Sequence, residues 1–463
     1  MTPPGPHRQA HLPVPGAWRR TLGLLLVGLA CGALSACGRT TAPGQPKAAA
    51  NDRARFLALL DPAGKDVLDA RIRELQSRVQ HAPRKAELWV ALGQAWVQKA
   101  RSDGDALHYL SAEGCAEVAL RETPKDRGAL DLRGLLLLNN HRFEEARALA
   151  QSVVDMSPDD ALAWGTLSDA LTDLGRYPEA VRAAQRMMDL KPNLASYARA
   201  SYLLWLRGDV VGAKESARLA IDAGGDRRDK EPLAWVLVQA ASLFFHEGDL
   251  EGAEAGFRRA LDVVPGFPPA LVGRARVALG QGRPEEAATL LGEAFAKRPL
   301  AETAGLLADA RRLAGDDAGA EAAEREVFRE GRSTDGRTLS LYLSTHAKDT
   351  EEALALAQRE LATRDDVYTE DTLAWALYRA GRASEARLAS DKAMALGTPD
   401  ARLWYHAGAI RILGGATTEG MALVKRALAK NPSFDVVGAK EAVALLAAQP
   451  QPKKVARADF RHK

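Results

Sequence analysis

The groups in this chain that could act as ligands, nucleophiles or proton carriers are nine histidines, three cysteines and sixty acidic residues, spread over 463 positions. Metal binding asks for His, Cys, Asp or Glu at short fixed spacings, and His108, His141, His246, His346 and His406 share no such spacing. There is no G-x4-G-K-[ST] loop to cradle phosphate, no H-E-x-x-H, no G-x-S-x-G elbow and no C-x-x-C pair. Paired carboxylates could divide general-acid and general-base work between them. Here, however, Glu144-Glu145, Glu285-Glu286 and Glu351-Glu352 recur where helices should begin, and there they offset the positive end of the helix dipole. Cys31 and Cys37 lie close to the N-terminus, so Cys115 stands alone in Ala-rich helical sequence and reads as a small core residue. No catalytic constellation and no cofactor are implied, and the expectation is a non-enzymatic chain.

The elements that must position these groups are helices. Hydrophobic residues make up 46% of the chain and aromatics only 6%, with Leu and Ala dominant and β-branched residues sparse. Internal repetition organises them. A small residue recurs as Ala112, Ala146, Ala180, Ala213, Ala253, Ala287, Ala320, Ala353, Ala386 and Gly420, in steps of 33 or 34 residues except for one of 40 between Ala213 and Ala253. That long step contains AGGDRRDKEP (223–232), a loop insertion. Five residues before the small position stands a glycine in most repeats: Gly175, Gly208, Gly248, Gly282, Gly315, Gly381 and Gly415. Such a glycine closes one helix in the left-handed conformation. Pro178 and Pro284 then open the second helix, and Pro124, Pro158, Pro192, Pro265, Pro299 and Pro432 end it. The ladder residue is small so that the two helices approach closely.

On these residues the chain resembles the tetratricopeptide repeat, whose 34-residue pattern is W-x2-L-G-x2-Y…A-x3-F…P. Residues 161–194 carry Trp164, Leu167, Ser168, Leu171, Gly175, Ala180, Ala184, Met187 and Pro192. Phe257, Ala260 and Pro265 fit the second helix of 234–267, and Trp89-x2-Leu92-Gly93-x2-Trp96 opens another unit. Residues 101–109 hold an insertion, and units 301–333 and 334–366 are degenerate. The longer period of Sel1-type repeats does not fit, and pentatricopeptide repeats keep a strict 35 and bind RNA. The resemblance implies an all-α solenoid of about ten stacked antiparallel hairpins in a right-handed superhelix over 52–434, beginning with a partial hairpin at 52–84. Residues 437–448 read as a capping helix, and the rest of 435–463 as a basic tail.

The N-terminus reads as an address. Arg19-Arg20 precede the apolar run TLGLLLVGLACGALSA, which is short for a membrane span and suited to a secretory leader. Its end, Leu34-Ser35-Ala36-Cys37, is similar to a bacterial lipobox, which implies cleavage after residue 36 and a lipidated Cys37. Residues 37–51 would then form a flexible tether. Gly38 stands where an aspartate, by resemblance to enterobacterial lipoproteins, favours inner-membrane retention. The expectation is therefore an outer-membrane anchor facing the periplasm. The formal charge of +3 comes entirely from Arg8, Arg19 and Arg20 in the leader, and a neutral mature chain argues against nucleic acid.

Tetratricopeptide solenoids, by the same resemblance, bind peptides or helices along a concave groove lined by first helices. Mapped onto this chain, Trp89, Trp96, Trp164 and Trp404 take packing positions. The groove face carries Tyr202, Trp205, Trp235, Phe245, His246, Arg276, Tyr342, Trp375, Tyr378 and Tyr405, with His346 and Arg379 beside them. Asp169, Thr172 and Asp173 would be solvated polar surface. The resemblance thus implies a scaffold that captures another envelope protein or peptide, with no small-molecule substrate. An outer-membrane pore assembly factor or pilotin, and an accessory subunit of a cell-wall enzyme, stay open as alternatives.

Overall fold

The computed structural model describes residues 47–448 except 106, 227 and 228, with the backbone alone at 47–52. The leader, Cys37 and the basic tail lie outside the described residues. Among those described there are twenty-three helices and no strand, so the chain is all-α. No helix among them is long and apolar enough to cross a membrane. They fall into two compact units, divided between Asn140 and His141.

The first unit comprises α1 (Lys47–Ala58), α2 (Val67–His81), α3 (Ala86–Asp103), α4 (Leu107–Glu122) and α5 (Arg127–Asn139). Helices α3 and α4 form a hairpin, while α2 packs on α3 and α1 on α4. The hairpin expected over 52–84 is thus corrected: α1 and α2 do not pair with each other. The reason is Gly114, where an added Cβ would sit 2.4 Å from the Ala54 carbonyl oxygen. Its absence lets α1 approach α4 backbone to backbone. Trp96 Nε1 then donates to the Ala58 carbonyl at 3.1 Å. Cys115 is fully buried, which pushes its thiol pKa well up and makes it a core residue.

The second unit starts with α6 (Phe143–Met156) and continues as eight antiparallel hairpins. These are α7 (Ala161–Asp173) with α8 (Tyr177–Leu190), α9 (Leu194–Leu206) with α10 (Val210–Ala223), and α11 (Glu231–His246) with α12 (Leu250–Val263). Next come α13 (Pro268–Gly280) with α14 (Pro284–Lys297), α15 (Ala301–Leu313) with α16 (Asp317–Thr334), and α17 (Gly336–Thr345) with α18 (Thr350–Leu361). The last are α19 (Val367–Arg379) with α20 (Ala383–Met394) and α21 (Ala401–Leu413) with α22 (Thr417–Lys430), followed by α23 (Gly438–Ala447).

The punctuation of the sequence appears residue by residue. All seven turn glycines have positive φ, between 69° and 85°. The degenerate turn of α17–α18 has Ala347 and Asp349 at positive φ instead. Pro158, Pro192, Pro265, Pro299 and Pro432 each stand two residues past the end of a helix. From Ala146 to Ala386 the ladder alanines are at most 1% exposed. In three hairpins a first-helix serine seals the contact: Ser168, Ser201 and Ser340 donate to the carbonyls of Ala180, Ala213 and Ala353 at 3.0, 2.7 and 2.7 Å. The last rung is Gly420 because its partner is Gly408; a Cβ at 420 would fall 2.5 Å from the Gly408 oxygen.

The coiling of this unit brings together turns that are five to six hairpins apart. The Asp365 N–H donates to the Asp173 carbonyl at 3.0 Å, and the Val367 N–H to the Tyr177 hydroxyl at 2.8 Å. Thr398 Oγ1 donates to the Leu206 carbonyl at 2.6 Å. Asn431 Nδ2 donates to that of Phe245 at 2.8 Å. Three of the turn glycines lie in this seam: a Cβ at Gly175, Gly208 or Gly248 would meet the carbonyl of Asp365, Gly397 or Lys430 at 2.3, 3.1 or 2.8 Å. The seam satisfies polar groups that would otherwise need water, and it closes the inner side of the unit.

Candidate functional site

Closure leaves a cavity of about 380 Å³ on the inner side of the second unit. Four residues expected on the groove face line it: Phe245, His246, Arg276 and Tyr342, with His346 beside them. Helices α11, α13 and α17 place them there, each from the groove side of a first helix. Tyr342 and His346, one turn apart on α17, stack with ring centres 4.1 Å apart. The apolar part of the wall comes from Leu279, Leu306, Leu313 and Leu341.

Most of the charged wall residues are paired, with one another or with carboxylates just behind the wall. Arg276 meets Glu302. His346 Nε2 is 2.8 Å from Asp309, His246 Nδ1 is 3.8 Å from Asp400, and Arg337 is 3.3 Å from Asp366. Burial alone would lower the pKa of His346, but the hydrogen bond and charge of Asp309 hold it above the ordinary value. Burial and the neighbouring Asp309 and Glu324 carboxylates push the Tyr342 hydroxyl well up, so it stays protonated and donates to Glu324 at 3.1 Å. A lining whose charges are already balanced offers apolar surface, ring faces and hydrogen-bonding edges to an occupant without demanding strong net charge from it.

The other expected groove residues are covered, and for two separate reasons. The first is the seam. Trp205 is 2% exposed because Tyr368, from a hairpin five units on, packs over it; its Nε1 stands 3.4 Å from the Tyr368 hydroxyl. Tyr202 is half-buried against the same cluster. Trp235 is buried within its own hairpin stack, edge-on to Phe267 at 6.5 Å. The second reason is the C-terminal segment. Trp375 and Tyr405 are 1% and 2% exposed in a cluster that includes Ala442 of α23, with Tyr378, Phe434, Leu445 and Leu446 packed against it. For Trp205, Trp235, Trp375 and Tyr405 the expectation of an open groove is therefore corrected to packed interior, and Tyr202 and Tyr378 are half-buried against that interior.

Two smaller expectations also change. Asp169 and Thr172 are buried, not solvated, and Asp169 takes a two-pronged ion pair from Arg199 at 2.8 and 2.6 Å. Trp164 is half-buried, with Nε1 donating to the Pro158 carbonyl at 3.0 Å. Some cavity-lining residues have no signal in a repeat frame. Tyr368 and Arg402 sit near the starts of first helices and face the cavity only because the unit closes. Phe434, Ala439 and Lys440 line it because the C-terminal segment folds inward.

Comparison with known proteins agrees with this frame. Residues 132–195 and 244–322 each match a family model described as tetratricopeptide repeat. The peroxisomal targeting signal receptor of Candida glabrata is 33% identical over 91 residues, 19% of this chain; the match spans only 15% of that receptor's length. Among solved structures, human IFIT1, as a dimer with PPP-AAAA, aligns with 15% identity over 81% of this chain and 94% of its own, at a TM-score of 0.45. Pseudomonas aeruginosa PilF aligns with 14% identity over 44% of this chain and 90% of its own, at 0.37. PilW, described as a type IV pilus biogenesis factor, aligns with 17% identity over 46% and 96%, at 0.38. No ligand or partner is carried over from structures this distant. The matched repeats, the alanine ladder and the glycine turns lead to one conclusion: this chain carries tetratricopeptide repeats and is an α-helical repeat solenoid, an architecture that supports a role as a protein-interaction scaffold.

Proposed function

We propose that the chain is a lipid-anchored envelope scaffold that captures a segment of another envelope protein in the cavity of its second unit. The observation that carries this reading is the lining of that cavity: apolar side chains and ring faces between internally paired charges, built from first helices. A peptide segment supplies uncharged backbone and mixed side chains, which is what such a wall can hold. The envelope location rests on the leader and on Leu34-Ser35-Ala36-Cys37. A lipid on Cys37 would hold the protein at a membrane, and the 37–51 tether would let the solenoid reach a partner.

Crosslinked capture from the native envelope tests the binding half of the proposal. Thr338 lines the cavity and is half-buried. Thr338→Trp should fill part of the space and remove the partner from the captured set while circular dichroism stays unchanged. An unchanged captured set would move the binding surface elsewhere. Membrane fractionation tests the other half: Cys37→Ser should shift the protein to the soluble fraction, and continued membrane association would refute the anchor.

A further inference from the structure

We propose that α23 is a resident stand-in for a partner helix: the face made by Trp375, Tyr378, Arg379 and Tyr405 takes a short amphipathic helix that carries a carboxylate, and α23 must leave before the partner enters. This inference rests on the scaffold reading above and names the chemistry of the partner.

The face is a recognition surface in its own right. Trp375 and Tyr378 stack with centres 4.6 Å apart and planes 8° apart, and the Arg379 guanidinium lies 4.7 Å from the Trp375 ring centre. Helix α23 meets this surface through one acid and a few small or aliphatic residues. Glu441 accepts from Arg379 at 2.8 Å and from the Tyr405 hydroxyl at 2.7 Å, while Ala442 is buried in the aromatic cluster. Burial, with the Glu441 hydrogen bond next, raises the Tyr405 pKa, so the hydroxyl remains a donor.

Three observations say that α23 holds this place weakly. It has ten residues, and only Gly438 and Ala442 are buried, whereas α21 buries ten of its thirteen. A helix that short is not stable in water on its own, so its folding and its docking are one equilibrium. It also leaves donors unmet: among the described residues, buried Trp375 Nε1 and Arg379 Nε have no hydrogen-bond partner. An occupant with an additional acceptor would meet what α23 does not. Its N-terminal end, at Ala439 and Lys440, also forms wall of the central cavity, so displacing it would widen the site proposed for the partner.

The test uses the full chain and, as probe, a fluorescent peptide of residues 434–448. Glu441→Lys should loosen α23 and leave the face itself unaltered. If α23 covers the face nine-tenths of the time or more, freeing it should tighten peptide binding about tenfold. Amide exchange over 438–447 should quicken in Tyr405→Phe, a change mild enough to leave the fold intact. On an Arg379→Glu chain the unmodified peptide should fail, and a peptide carrying Glu441→Lys should bind. Equal peptide affinity for the unaltered chain and Glu441→Lys would overturn the proposal and leave α23 a permanent cap. If the peptide behaves as expected while Thr338→Trp still captures every partner, the stand-in survives and the cavity reading fails. The opposite pair of results removes the stand-in alone.

Discussion

Single residues in this chain do different work in the same conformation. Gly282 and Gly175 both end a first helix at φ near 70°. A Cβ on Gly282 would meet nothing within 4 Å, whereas one on Gly175 would press on the Asp365 carbonyl at 2.3 Å. Gly282→Ala should therefore cost only the left-handed strain, about 1 kcal/mol in a urea titration. Gly175→Ala should cost roughly 1–3 kcal/mol more, because the seam must shift to make room. Equal losses would mean that the seam contributes nothing at Gly175. Glu370 gives the seam a pH dependence. It is 3% exposed, and burial, with Asp365 nearby, raises its pKa from 4.5 to about 7 even against Lys392. The folded chain holds that proton more tightly than the unfolded one, so this stability is whole below pH 4.5 and is lost as pH rises to about 7. His346, whose pKa is also raised, loses its contribution in the same direction as pH rises. Glu370→Gln should flatten the fall in urea midpoint between pH 5 and pH 8, and a fall as steep as in the unaltered chain would refute the shift.

At the scale of the element, the hairpins were legible because their signals are local. Gly175 followed by Pro178 and Ala180 encodes a turn, a helix start and a close approach within six residues, and each feature takes its expected place. The 40-residue step likewise becomes the connection between α10 and α11. The ladder makes a direct demand on side-chain size. Ala180 is fully buried against α7 and holds the Ser168 hydrogen bond through its carbonyl. Ala180→Leu should lower stability by about 1–3 kcal/mol through overpacking, read as a fall in melting temperature. An unchanged melting temperature would mean that α7 and α8 can part without cost. The helices that escaped the repeat frame lack such local markers. The docking of α1 on α4 depends on Gly114, sixty residues from Ala54, and nothing in the sequence of either helix announces it.

At the scale of the molecule, Phe245, His246, Arg276 and Tyr342 line the cavity as the repeat frame expects, but that frame does not show what covers the other expected groove residues. The bonds that close the second unit join residues far apart in the chain: Thr398 and Leu206 by 192 positions, Tyr368 and Trp205 by 163. A 34-residue frame carries no information at that separation, because superhelical pitch is the sum of many small rotations between neighbours. Trp205, expected on the groove face of α9, is thus interior. The C-terminal segment was legible as a helix, but its place on the Trp375–Tyr405 face was not, since Glu441 reaches back to Arg379. What remains open for a partner is the central cavity, and one of its lining residues, Leu313, is 41% exposed. A photocrosslinking amino acid placed at Leu313 in the native envelope tests the account most directly, with Val211, 81% exposed and absent from the cavity lining, as the control position. The account predicts a discrete protein adduct from position 313 and none from 211; an adduct from 211 alone would contradict it and place the partner away from the cavity.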